Sequence, residues 1–175
     1  MNPHVDATEL SFNSYIAAVA SPVLVFDRHL DVINANQLAG AVSASFRRGT
    51  NLARFTFLNP MVEETTADWN RESRRTVAVL RELLSGGNED QRFRVLLGEL
   101  MARSEAFAEL WGGSVDTPET HGTSVFNNPL VGAMRLSYEH FHRPNDDEHV
   151  VMLWVPADRV SAERLDRLRE RVSAC

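Results

Sequence analysis

Residues 93–111 read FRVLLGELMARSEAFAELW, and the way this stretch divides decides how the helical half of the chain is built. Phe93, Leu96, Leu97, Leu100 and Met101 recur at three- and four-residue steps, the spacing of one apolar stripe on an α-helix. Phe107, Leu110 and Trp111 make a second, shorter stripe. Ser104 stands where the first stripe would continue. Either the helix runs through with a polar residue in its buried stripe, or it stops and the Ser104 hydroxyl caps a new helix. The break is the preferred reading, because Gly112-Gly113 then ends a short second helix. Arg103 sits at the corner so formed. It either closes the corner, by capping carbonyls or pairing with Glu99 or Glu105, or forms part of a pocket wall.

Outward from that stretch, the pattern is helical on the N-terminal side. Asn88 with Gln91 resembles a capping box for the first helix. Before it, Asn59-Pro60 starts a helix that can run to about Leu84, with Trp69, Ser73, Thr76, Val77, Leu80, Leu83 and Leu84 inward and Gly86-Gly87 as its stop. Asn51 can cap a short helix carrying Leu52, Phe55 and Phe57. Leu38, Ala39, Val42 and Phe46 share one face of a helix that opens at Asn36 and stops at Arg47-Arg48-Gly49. Earlier still, Val23–Phe26 and Leu30–Ile33 flank Asp27-Arg28-His29 and read as a hairpin over 22–34, its first strand buried on both faces. Phe12, Tyr15, Ile16 and Val19 suggest a short helix before Pro22, and residues 1–12 are expected to be a flexible segment ahead of a domain over 13–175.

On the C-terminal side the signal turns to strands. Thr123–Phe126 is one, Asn127-Asn128-Pro129 is turn chemistry, and Met134, Leu136 and Tyr138 alternate with Ala133, Arg135 and Ser137. Asp146-Asp147-Glu148 reads as a charged hairpin turn before the Val150–Val155 strand. Ser161 can cap a terminal helix with Leu165, Leu168 and Val172 inward. Two strands, several helices and three strands make an α+β domain, and one sheet holding all five strands leaves the helices together on one face. The space between such layers is a common place for a small molecule.

Composition excludes several classes. A formal net charge of −6 argues against sequence-independent binding to nucleic acid. The C-terminal arginines, Arg159 to Arg171, alternate with acids as on a solvated helix face. The single cysteine, Cys175, excludes an internal disulfide. No apolar run has membrane-spanning length and no signal peptide is visible, so a cytoplasmic location is expected, with no membrane partner. His140 and His142 share a strand face but lack the spacing of a metal site, and no metal is expected. No Ser, Cys or Thr lies in a nucleophile motif, so no enzyme and no catalytic residue is expected. The aromatic residues Trp69, Phe107, Trp111, Phe126 and Trp154 read as core, and a core so bulky can leave an apolar cavity. A ligand headgroup there needs a polar partner, for which Arg103 is the candidate.

Several blocks occur in an order that resembles the MmyB-like ligand-binding domain of bacterial transcription regulators. These are SPVLVFDRHLDVINAN (21–36), NLARFTFLNP (51–60), ADW (67–69), LLGELMARSEAFAELW (96–111), NPLVGAMRLSY (128–138) and SAERL (161–165). The resemblance spans about residues 14–168. It implies a PAS-like fold, a five-stranded antiparallel sheet with helices on one face. It also implies a sensor whose pocket accepts a fatty acid or another apolar molecule, with no other cofactor. The matching positions are Asp31, Asn36, Asn51, Trp69, Arg103-Ser104, Phe107, Trp111, Pro129 and Gly132. With Phe126 and Met134 added, the candidate ligand-binding set is Arg103, Trp69, Phe107, Trp111, Phe126, Asn51 and Met134. The sequence departs from the family pattern at Asn127-Asn128, where a basic residue and a histidine usually stand, and at Gly113-Ser114, where a His-Asp pair is frequent. Only about twenty residues precede the first strand, too few for a helix-turn-helix. DNA contact is therefore expected only through a module outside this chain or through a partner. The resemblance leaves room for a homodimer formed through the N-terminal helix or the exposed sheet face. A ligand-free interaction module of the same fold is the alternative reading, and a small-molecule enzyme a third.

Overall fold

Strand β1 (Val23–Asp27) sets the layer order, because it is buried along both faces. The computed structural model describes residues 12–65, 68–85, 90–114, 117–143 and 146–174. Expectations for residues 1–11, Gly86-Gly87, Asn88, Pro144-Asn145 and Cys175 lie outside the described residues. Leu24 and Phe26 of β1 enter the main core, while Val23 and Val25 pack with Ile16 in a separate cluster. Successive side chains on a strand point to opposite faces, so these two clusters lie on opposite sides of the sheet. Helix α1 (residues 12–18) therefore covers the back of β1, and the remaining core lies in front.

The turn after β1 follows from Asp27. Its carboxylate accepts the N–H groups of His29 (2.9 Å) and Asp31 (3.0 Å). That pulls the chain tightly around, with Leu30 at φ 63° in the left-handed region. Strand β2 (Val32–Ala35) returns antiparallel to β1. Strands β3 (His121–Asn128), β4 (Gly132–Arg143) and β5 (Asp146–Pro156) complete one antiparallel sheet in the order β2-β1-β5-β4-β3. The first and last parts of the chain thus meet where β1 pairs with β5. The expected alternation in β4 is observed, with Met134, Leu136 and Tyr138 buried and Ala133 and Arg135 exposed.

Between β2 and β3 run α2 (Gln37–Val42), a 3-10 turn (Ala44–Phe46), α3 (Leu52–Leu58), α4 (Pro60–Thr65), α5 (Trp69–Ser85), α6 (Gln91–Arg103) and α7 (Glu105–Gly112). They cover the front face as expected. Helix α8 (Arg159–Ser173) packs against α2, β4 and β5, burying Leu165 and Leu168. Trp154, Tyr138, Phe107, Leu100, Met134 and Leu136 are among the largest fully buried side chains, and they join helices to sheet. Each large apolar side chain so buried contributes roughly 1.5–3 kcal/mol.

The break at Ser104 is observed. Its backbone leaves the helical region (φ −132°, ψ 109°), ending α6 and opening α7, and its hydroxyl accepts the Phe107 N–H at 3.1 Å. Other boundaries differ from expectation. The helix from Asn36 stops at Val42, because Ser43 turns extended and its hydroxyl caps the following 3-10 turn. The long helix from Pro60 is two helices, α4 and α5, with Asp68 in a turn before Trp69. The N-cap of α6 is Asp90, whose carboxylate accepts from Phe93 N–H, and that of α8 is Asp158, which accepts from Ser161 N–H. Ser161 instead accepts the Arg135 N–H at 2.8 Å, tying α8 to β4. Asp146 and Glu148 lie in β5 rather than in a turn. Met101 falls off the buried stripe and is 43% exposed.

Candidate ligand-binding site

Helices α2, α3 and α5 do not close on the sheet. Between them and the strands lies a cavity of about 760 Å³. Its floor is Phe26, His140, Met152 and Trp154 from β1, β4 and β5. Its roof is Leu52, Phe55, Trp69 and Val79, and Val42, Phe46 and Phe126 complete the wall, Phe46 and Phe126 meeting edge-on at 5.5 Å. The exposed residues Arg47, Asp68, Asn127 and Leu130 belong to its lining, so the space opens to solvent on that side.

The gap has a cause in the sequence of α5. Leu80, Val77 and Ser73 make its buried face. The adjoining stripe, Glu72, Arg75, Thr76 and Val79, mixes charge with short side chains and cannot fill the layer. Glu72 and Arg75 pair with one another, their side chains 21% and 15% exposed. The Ser124 hydroxyl donates to the second Glu72 oxygen, and the Arg75 guanidinium lies 4.4 Å from the centre of the Tyr138 ring. The half-buried pair is therefore neutral overall, and its remaining hydrogen-bonding capacity is partly used by Ser124. Burial pushes the His140 imidazole down to about 4, with smaller contributions from Arg75 and His142. His140 is thus neutral at pH 7.

The structure separates the sequence candidates. Trp69 and Phe126 lie on the cavity wall. Trp69 is held there by its indole N–H, which donates to the Thr56 carbonyl at 3.2 Å. Arg103 is not on that wall. Its side chain is 60% exposed and pairs with Glu99 at 2.6 Å, one helical turn back. Glu99 also takes Arg54 of α3 at 2.7 Å, so the corner is closed by a surface network. Phe107 and Trp111 also lie off the wall. They continue an aromatic row, Trp69–Phe57–Phe107–Trp111, that fills the layer between α3, α5 and α7. Met134 is fully buried in the core and away from the cavity. Asn51 holds the fold. Its amide donates to the His29 carbonyl and the Asp31 carboxylate, both at 2.8 Å, and its oxygen caps α3 at Arg54 N–H. Beside it lies a depression of about 240 Å³, separate from the larger cavity.

Glu72, Arg75, Ser124 and His140 were not among the candidates. The signal was present for the α5 pair. Thr76 is on the expected inward face, Glu72 stands four residues before it and Val79 three after it, and Arg75 is three residues on from Glu72. Arginines and glutamates in a helix ordinarily read as solvated, and that reading hides them. His140 and His142 share a strand face as expected, but no group of three or more metal-binding side chains forms among the described residues.

The model of the MmyB-like transcription regulator ligand binding domain matches residues 16–168. The chain belongs to this family. Its α+β architecture, a five-stranded antiparallel sheet fronted by helices, is the PAS-like one that membership implies. Two solved PAS domains are similar at low identity. One, from the HTR-like protein of Haloarcula marismortui, is 11% identical, covers 87% of this chain and 94% of its own, and has a TM-score of 0.38. The other, from Bordetella pertussis BvgS, is 12% identical, covers 96% and 99%, and has a TM-score of 0.37. No curated protein matches the chain in sequence. Among the described residues, no helix is long and apolar enough to cross a membrane.

Membership in the MmyB-like family gives the departure at Asn127-Asn128 a location, since both residues line the cavity. Asn128 is buried and its amide donates to the Ala41 carbonyl at 2.7 Å, while its oxygen accepts Leu130 N–H at 3.0 Å. It ties the end of α2 to the β3–β4 turn.

Proposed function

We propose that this MmyB-like domain senses an apolar or fatty-acid-like small molecule held between helices and sheet, as part of a cytoplasmic bacterial transcription regulator. The cavity carries this reading. Its volume lies in the range of small-molecule sites, roughly 300–1,000 Å³, and its wall is mainly aromatic and aliphatic. The domain is read as acting by binding, since the polar side chains Glu72, Arg75 and Ser124 on the cavity wall satisfy one another. Helices α2, α3 and α5 meet the ligand directly. A molecule that fits one packing of these helices better than another shifts the population between them. The readout reaches DNA through a helix-turn-helix module of the regulator or of a partner.

Native mass spectrometry and titration with decanoate or myristate test the proposal. Binding at one site is expected, and it is lost in Val79→Trp, whose indole fills the cavity from the roof. Failure of every such probe to bind the wild-type protein, or undiminished binding by a folded Val79→Trp protein, would sink it.

A further inference from the structure

The cavity floor contains a buried donor that the protein does not use. Trp154 is 1% exposed, and its indole Nε1 has no hydrogen-bond partner among the described residues. The rings around it are Phe46 stacked at 5.4 Å, Phe126 edge-on at 5.0 Å and Tyr138 tilted at 5.0 Å. Phe46 and Phe126 present no strong acceptor and themselves line the cavity, and the Tyr138 hydroxyl, also buried, takes no hydrogen bond from the indole. An unmade hydrogen bond at a buried indole is a cost that a ligand acceptor would remove. His140 adds a second such atom, since its Nε2 is buried without a partner. In the β4–β5 register Tyr138 faces Trp154 and His140 faces Met152. His140 and Trp154 are therefore diagonal neighbours on one face, a separation that one small polar group can span.

The charges decide what kind of group fits. Arg75 is the cation nearest this floor on the cavity wall, and Glu72 already neutralises it. A carboxylate placed there would lie beside the Glu72 carboxylate and face a cation already paired. Arg47, by contrast, stands exposed at the open side, where an acidic end keeps its water. Resting on the ligand-sensing reading above, we propose that the ligand carries an uncharged oxygen function, a carbonyl or hydroxyl, on its buried end. That oxygen accepts the Trp154 Nε1 hydrogen bond, with His140 Nε2 beside it, and any acidic group of the ligand lies at the mouth. The floor thereby selects oxygenated chains over plain hydrocarbon.

The test uses the whole chain and two volatile probes, 2-octanone and octane, with affinities read from headspace partitioning. Trp154→Phe keeps the buried ring and removes the donor. It is expected to weaken 2-octanone by about two- to tenfold, the worth of one net hydrogen bond, and to leave octane within twofold. Equal effects on both probes, or none on either, overturn the inference while leaving the sensing function standing. If neither probe binds a wild-type protein that binds decanoate, the inference falls and the sensing function stands. A measurement on the wild-type protein alone covers the case in which the variant does not fold. The Trp154 indole proton resonance moves downfield on addition of 2-octanone and not of octane. An unmoved resonance with the ketone bound overturns the proposal.

Discussion

Ser104 and Arg103 are adjacent, and the structure gives them unequal weight. The Ser104 hydroxyl caps α7 in a buried setting, while Arg103 lies in solvent against Glu99. Ser104→Ala is expected to cost about 1 kcal/mol in a urea melt, the usual worth of a lost N-cap. Arg103→Ala is expected to cost less than about 1 kcal/mol, since an exposed pair is screened, and to leave ligand affinity unchanged by titration. A large loss of affinity in Arg103→Ala would restore it to the pocket. His140 supplies a pH signature. Its folded value of about 4 lies below the ordinary 6.5, so the unfolded chain takes up the proton first as pH falls. Its contribution is full above pH 6.5 and is lost progressively toward pH 4. In urea melts over that window, wild type should lose stability faster than His140→Gln. Parallel profiles would show that burial does not hold the imidazole neutral.

Among elements, a side-chain tether joins the β1–β2 turn to α6 and so links sheet to helical layer. Asp90 caps α6 through Phe93 N–H, and the same carboxylate accepts from His29 Nε2 at 2.9 Å and Arg28 at 3.1 Å. The Phe93 bond, with smaller help from His29 and Arg28, holds Asp90 below the ordinary carboxylate value of 3.8. A lowered acid contributes stability above its unfolded value and loses it as pH falls through the folded one. Asp90→Ala should therefore lower the melting temperature at pH 7 by more than at pH 3, and amide exchange should rise first in the opening turn of α6. Equal losses at both pH values would mean that the charge is not what holds the cap. None of this tether was legible in the sequence, because His29 and Asp90 are 61 residues apart and meet only once the sheet is formed. What was legible was local. The β1–β2 hairpin, the alternation in β4 and the stop at Ser104 each rest on neighbours in sequence, whose pattern follows from backbone geometry. Helix ends are ambiguous in the sequence where two polar residues compete to cap. Ser161 and Asp158 both fit the start of α8, and it was the Arg135 N–H, across the sheet, that drew the Ser161 hydroxyl away. The direction of Arg103 was illegible for a related reason. A corner residue can face either way until the carboxylate that takes it, Glu99, is placed.

At the scale of the molecule, the helical layer is not packed to the density of the rest of the core, and a ligand that fills the cavity stabilises the folded form alone. At a hundred times its dissociation constant such a ligand adds about 2.7 kcal/mol, which for a domain of this size raises the melting temperature by roughly 5–10 °C. The charge placed in that layer then sets which ligands are admitted. Glu72 holds Arg75 in a pair and with Ser124 forms a neutral wall. Removing only the negative member changes the wall from neutral to cationic while keeping its shape. Glu72→Gln should therefore lower the melting temperature of the unliganded protein, because a half-buried cation loses its partner. It should also raise affinity for decanoate about tenfold, the worth of one charge-assisted hydrogen bond, with little effect on decanol. The two effects are linked, since decanoate replaces the missing carboxylate and returns the lost stability. Calorimetric titration with both probes, beside melts with and without decanoate, checks this. A variant that binds decanoate no better than wild type would mean that Arg75 is held by the Tyr138 ring and Ser124 and is not available to a ligand, whatever Glu72 does.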